Sequence, residues 1–114
     1  MKRDEDRFAE ISPAMFHVMV ALADEDRHGY AIMKEVAART DGSVQLTAST
    51  LYGIVKRLLA DGLIAETTAR AAPAGDDARR RYYRLTAVGR RLAHAEANRM
   101  AQMLKLARAA LSER

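Results

Sequence analysis

The chain has 114 residues, 49 % of them hydrophobic, a formal net charge of +4 and no Cys, which suits one domain with a modest core and excludes disulfides, thiolate metal sites and Cys nucleophiles. No apolar run approaches the roughly 18 residues of a membrane span, so no membrane partner is expected. The first ten residues, MKRDEDRFAE, lack a signal peptide's apolar region, and a cytoplasmic protein is the expectation.

Residues 1–11 are expected to form a flexible, charged N-terminal segment. Ser12-Pro13 is a helix start, a capping hydroxyl followed by proline at the first helical position. The helix is predicted to run to about Ala23 with Met15, Val18, Met19 and Leu22 as its apolar stripe and Phe16 and Val20 beside it. Phe16 suits core or a dimer contact. Asp24-Glu25-Asp26-Arg27 reads as a polar turn, and a second helix follows from His28 or Gly29 to about Arg39. Tyr30, Ile32, Met33, Val36 and Ala37 supply its apolar material, and Thr40-Asp41-Gly42-Ser43 closes it. Tyr30 is expected to anchor this helix on the next, with a phosphate contact from its hydroxyl as a further role.

The stretch from Thr47 to Gly62, TASTLYGIVKRLLADG, is predicted to be a third helix with two unlike faces. Thr47 is a suitable N-cap and Gly62 a left-handed stop. Ala48, Leu51, Ile54, Val55, Leu58 and Leu59 fall on one side at about 100° per residue. Ser49, Tyr52, Gly53 and Lys56 fall on the other, flanked by Thr50 and Arg57. Short donors near the N-terminus and cations further along are what a helix in a DNA major groove requires; an ordinary solvated face is the plainer reading. Two helices, a turn and such a helix make helix-turn-helix order.

Leu63 to Thr68 then reads as a strand, Ala71 to Asp77 as a turn, and Arg79 to Leu85 as a second strand. The pair would form a wing loaded with arginine. Strict alternation places only one of Tyr82 and Tyr83 in the core. Three adjacent arginines repel one another, and a phosphate backbone relieves that repulsion. Residues 47–92 hold nine Lys/Arg against four acids, and the remainder of the chain is slightly acidic. Confinement of the basic excess to the third helix and the wing is the footprint of a polyanion partner.

Thr86 caps a final helix from Ala87 to about Leu111. Ala93, Ala97, Met100, Leu104, Ala107 and Leu111 follow heptad spacing, with Leu92, Ala95, Met103, Leu106 and Ala110 as a second strip. One strip could cover its own domain; two suggest a symmetric homodimer through residues 87–111, against the alternative of a helix folded back on its own domain. The organisation read from the sequence is therefore a flexible segment (1–11), a winged-helix domain (12–86) and a C-terminal dimerisation helix (87–114). The fold class is mainly α with a small β-hairpin.

His28-Gly29-Tyr30, Gly42, Thr50-Leu51-Tyr52, Lys56-Arg57-Leu58, Asp61-Gly62-Leu63-Ile64 and Arg80-Arg81-Tyr82-Tyr83-Arg84-Leu85-Thr86 with Gly89 stand in an order and spacing that resemble the PadR family of bacterial transcriptional regulators. The resemblance covers roughly residues 12–92. It implies a winged helix-turn-helix, dimerisation through the last helix, transcriptional repression in most members, and in some an effector bound between subunits that lowers DNA affinity. The sequence departs from the family pattern at Ala48-Ser49, where Pro-Gly is common, and at Gly53, where a larger residue is usual; both bear on the operator. It has no Trp, so the flat-drug binding that uses an interfacial tryptophan does not carry over.

The expected partner is double-stranded DNA carrying an inverted repeat. Ser49, Thr50, Tyr52 and Lys56 would read or border bases, while Arg57, Arg79, Arg80 and Arg81 would grip phosphates. Tyr52 has packing against the wing as its alternative role. Phe16, Met19, Met100, Met103 and Leu104 would form dimer core or, less simply, line an adaptable cavity for a small aromatic or hydrophobic effector. His17, His28 and His94 are scattered, no nucleophile–base pair or paired acids are evident, and neither a cofactor nor a metal is expected. The alternative function is a winged-helix protein–protein interaction module without DNA binding.

Overall fold

Each helix begins where a side chain can replace the missing intrahelical acceptor for the first-turn N–H groups. The computed structural model describes residues 11–67 and 81–112. Helix α1 spans Pro13–Ala21, and Ser12 Oγ accepts from Met15 N at 3.2 Å. After strand β1 (Arg27–His28), helix α2 spans Gly29–Arg39. Helix α3 spans Ala48–Ala60, capped by Thr47 Oγ1 accepting from Thr50 N at 3.1 Å. Strands β2 (Ile64–Thr67) and β3 (Tyr82–Leu85) lead into helix α4 (Ala87–Ala110), where Thr86 Oγ1 accepts from Gly89 N at 3.0 Å.

One core joins the first three helices to the sheet and the start of α4. Val18, Met19, Ile32, Val36, Leu51 and Leu58 are the largest of its fully buried side chains, and Leu63, Ile64, Tyr83, Leu85 and Leu92 extend it to the sheet and α4. Burial of this kind contributes about 1.5–3 kcal/mol per large side chain and fixes which face of α3 is left outside.

Gly62, at φ 73°, adopts the left-handed conformation expected of it, and Leu63 N donates to Leu58 O at 2.9 Å to close the helix. The same turn holds α4: Thr86 N donates to Leu63 O at 3.1 Å and Thr86 Oγ1 to Gly62 O at 2.8 Å. Gly89 lies so close that a Cβ there would collide with the Leu63 carbonyl. The end of α3 and the beginning of α4 are therefore fastened to the same two residues.

The structure corrects the sequence reading in several places. The wing is part of a three-stranded antiparallel sheet in the order β1-β3-β2, not an isolated hairpin. Arg27-His28, read as turn and helix start, pairs with Tyr83 and Tyr82. Both tyrosines of β3 are buried: Tyr83 enters the main core, and Tyr82, on the face where Arg84 is exposed, is met edge-on by the ring of its β1 neighbour His28 at a centroid distance of 5.3 Å. Helix α1 stops at Ala21, short of Ala23. Tyr30 does not anchor α2; it is 59 % exposed, with Lys34 Nζ 5.5 Å from its ring centroid. The buried stripe of α2 is Gly29, Ile32 and Val36, and Tyr30 lies one residue, about 100°, off that stripe. Ala48 is exposed at the start of α3 rather than on its buried face.

Helix α4 buries Gly89, Leu92 and Glu96. Beyond that first half, Met100, Met103, Leu104, Leu106 and Leu111 are exposed. Met19, expected beside them, is fully buried in the core of its own domain. Phe16 packs, partly buried, against that same core.

Candidate nucleic-acid interface

Leu51, Val55 and Leu58 pin one side of α3 into the core. The opposite side presents Ser49, Thr50, Tyr52, Gly53, Lys56 and Arg57, all exposed. The structure thus brings together five of the eight residues expected to meet DNA. Thr50 lies at the helix start, its hydroxyl 3.0 Å from that of Thr47. Arg57 Nε donates to Asp61 Oδ2 at 3.3 Å across one helical turn, so its guanidinium is already engaged. Arg81 immediately precedes β3, is exposed, and sits 3.6 Å from Glu66 of β2. Arg79 and Arg80 lie outside the described residues, as does the turn expected from Ala71 to Asp77.

Tyr52 is 51 % exposed, and its phenol end lies over the backbone of Gly29, at the first residue of α2. Tyr83 is close enough to feel both the Tyr52 phenol and the Glu66 carboxylate. Its own phenol is raised above the ordinary tyrosine value, first by burial and then by those two neighbours. Tyr52 thereby stands where α2, α3 and the sheet meet.

The frame behind this surface is electrostatic as well as apolar. Arg27 Nε donates to Ala21 O at 2.7 Å, and its guanidinium reaches Glu35 at 3.5 Å. Arg39 bonds Glu35 and donates to Asp24 at 3.1 Å. The Arg39 guanidinium holds the Asp24 carboxyl below the usual carboxylate range. Arg84 of β3 reaches Asp26 at 3.1 Å, and Arg90 of α4 donates to Ala23 O at 2.6 Å. These contacts gather the α1–β1 connection, the central strand and α4 into one support.

Three contributors escaped the sequence reading. His28 caps α2 by accepting from Ala31 N at 3.2 Å through Nδ1 while its ring meets Tyr82. The Arg84–Asp26 pair is 58 residues apart in sequence and had no local signal. Glu96 is buried at 3 % exposure and accepts from Arg99 Nε and Nη2 at 2.7 and 2.8 Å. Its spacing of three residues from Arg99 was the available clue.

Residues 18–95 match the transcriptional regulator PadR-like family. The chain belongs to this family. The match bears out the resemblance read from the ordered motifs, and it covers the helix-turn-helix, the wing and the first part of α4. A transcriptional regulator from Clostridium thermocellum supports the fold: it superposes at a TM-score of 0.72 with 23 % identity, over 98 % of this chain and 99 % of that one. Bacillus subtilis PadR, solved in complex with operator DNA, matches at a TM-score of 0.62 and 20 % identity, over 75 % of this chain and 46 % of that one. An uncharacterized protein of Lysinibacillus sphaericus is 33 % identical over 73 residues, and the match spans 64 % of this PadR-like chain and 64 % of that relative. The family and its structural neighbours are transcriptional regulators rather than enzymes.

Proposed function

We propose that this PadR-like protein is a sequence-specific DNA-binding repressor that works as a homodimer on an inverted-repeat operator. The observation that carries the reading is the exposed donor and cation face of α3, Ser49, Thr50, Tyr52, Lys56 and Arg57, held outward by a buried Leu51–Val55–Leu58 stripe. Ser49, Thr50, Tyr52 and Lys56 read or border bases in the major groove. Arg57 turns from Asp61 to a phosphate, and Arg79, Arg80 and Arg81 grip the backbone from the wing. The operator complex formed by Bacillus subtilis PadR supports a DNA partner.

Residues 87–111 pair two copies, which sets the two α3 helices in successive major grooves about 34 Å apart. The exposed Met100, Met103, Leu104, Leu106 and Leu111 support this use of α4. With Met19 committed to the domain core, Met100, Met103 and Leu104 remain as the residues that a small aromatic or hydrophobic effector would meet between subunits, alongside Phe16. The winged-helix domain spans residues 12–86, together with Ile11, which was expected in the flexible segment but is buried in the domain's core.

The test is a gel shift of the purified protein on duplex DNA from upstream of its own coding sequence, repeated on scrambled DNA and across salt concentrations. A saturable shift on the upstream duplex, falling steeply with salt, is expected. Equal binding to scrambled DNA would remove sequence specificity. No shift even in dilute buffer would return the protein to the alternative of a protein-interaction module.

A further inference from the structure

We propose that Gly29 is a positioning residue for DNA binding: its missing side chain is the seat on which the Tyr52 phenol rests, and this seat fixes the aromatic on the outer face of the recognition helix α3. The proposal rests on the DNA-binding reading above and adds to it a residue that lies on another helix.

The backbone of Gly29 gives no reason for glycine. It is the first residue of α2, and its φ is not positive, unlike those of Gly42 and Gly62. Alanine has the higher helix propensity, so helix formation alone favours a Cβ here. Space is what forbids one. A Cβ on Gly29 would overlap the Tyr52 hydroxyl, lie 2.9 Å from Tyr52 Cζ and 3.2 Å from Cε1, with no other group among its nearest neighbours. The obstacle is the far end of a rotatable side chain rather than backbone, so the fold can accept a methyl group by turning the ring away. Gly29 is buried beneath a half-exposed Tyr52, and the ring covers it from outside.

The seat also orients Tyr52 relative to the rest of the surface. His28, the residue before it, is both the α2 cap and the β1 partner of Tyr82 in the sheet. A ring resting on Gly29 is therefore held against the junction of α2 with the central wing strand, near Tyr83. Released from that seat, the phenol would sample other rotamers, and its hydroxyl would meet the duplex at an entropic disadvantage. Gly53, one residue further along α3, has open space around it and plays no comparable part.

Gly29→Ala, Tyr52→Ala and the double variant test this as a cycle on the upstream duplex. Gly29→Ala should keep or slightly raise the melting temperature while weakening DNA binding about tenfold, the loss of roughly one well-placed hydrogen bond to a charged group. Tyr52→Ala should weaken binding at least as much, and adding Gly29→Ala to it should cost nothing more. Losses that add, or a Gly29→Ala protein that binds like wild type, would overturn the proposal while leaving DNA binding intact. A nuclear Overhauser contact between the Tyr52 ring and the Gly29 α-protons, expected in the free wild-type protein and lost in Gly29→Ala, reads the seat without DNA. Its absence from the wild type refutes the seat itself, whereas a present contact with no DNA binding by the wild type overturns the role assigned to it and the parent reading together.

Discussion

Lys56 is the cation of α3 best placed to meet a duplex. It stands on the exposed side of α3, one turn beyond Tyr52, where a cation meets phosphate or a base edge. Lys56→Ala should weaken binding to the upstream duplex and, where the ammonium meets phosphate, lower the slope of log affinity against log salt by about 1. Unchanged affinity with an unchanged slope, measured by anisotropy across a salt series, would strike Lys56 from the surface. Its outward position was legible because a helix with a buried stripe leaves the opposite angle no choice. Tyr82 and Tyr83 were not legible in that way. Alternation predicts one buried tyrosine for a strand with one wet face, and Arg84 on that face is indeed exposed, but Tyr82 is covered locally by His28, its cross-strand neighbour, which comes from a two-residue strand with no periodicity of its own. Tyr30 misled for a related reason: an aromatic near a helix start looks like an anchor, yet the inward angle of α2 belongs to Gly29.

At the scale of elements, the starts of the helices were well marked. Ser12, Thr47 and Thr86 are caps of the expected type, and each accepts the first-turn N–H that its position predicts. The fourth cap is a histidine, a residue outside the usual set, and only the structure reveals it. Helix α4 shows the limit of pattern reading most plainly. Of the two strips traced along it, Leu92 is buried and Ala93 packs on the core, but the rest of the side turned to its own domain is Gly89 and Glu96, and a carboxylate does not advertise burial. Arg99 makes that burial tolerable and holds the Glu96 carboxyl below the usual carboxylate range. A group lowered in the folded state contributes stability above its unfolded pKa and loses it as pH falls through the folded one. Since Arg99 is half exposed, water screens the pair and the contribution is modest. Glu96→Gln should cost about 1 kcal/mol at neutral pH. In a domain of this size that lowers the melting temperature by roughly 4 °C, and the gap to wild type should narrow as pH falls below the ordinary glutamate range and the Glu96 carboxyl protonates. Melting curves at several pH values check this; a gap that does not depend on pH would show that the ion pair contributes nothing.

The whole molecule poses the question of copy number. The winged-helix domain closes its own core, whereas the second half of α4 leaves Met103 58 % and Leu106 64 % exposed, more apolar surface than an isolated domain has reason to keep. If α4 pairs two copies as proposed, Leu104→Glu should give a folded monomer by light scattering, because Leu104 touches water in the single chain and its own domain does not need it. Binding to the full operator should fall more than about tenfold, as two linked half-site contacts become independent. A Leu104→Glu protein that remains dimeric would move the interface elsewhere.

The fastening of Gly62 and Leu63 to Thr86 and Gly89 has one mechanical consequence. Helix α4 is 24 residues long, about 36 Å at 1.5 Å per residue, and its root is rigidly joined to the C-terminal end of α3. It behaves as a lever whose short arm carries the reading helix. In the proposed dimer on DNA, a change of ~10° in the angle at which two such helices cross would displace the ends of each by about 3–6 Å, for pivots at its middle or at one end, roughly one to two base-pair steps, so small adjustments far from the duplex would translate into misalignment at it.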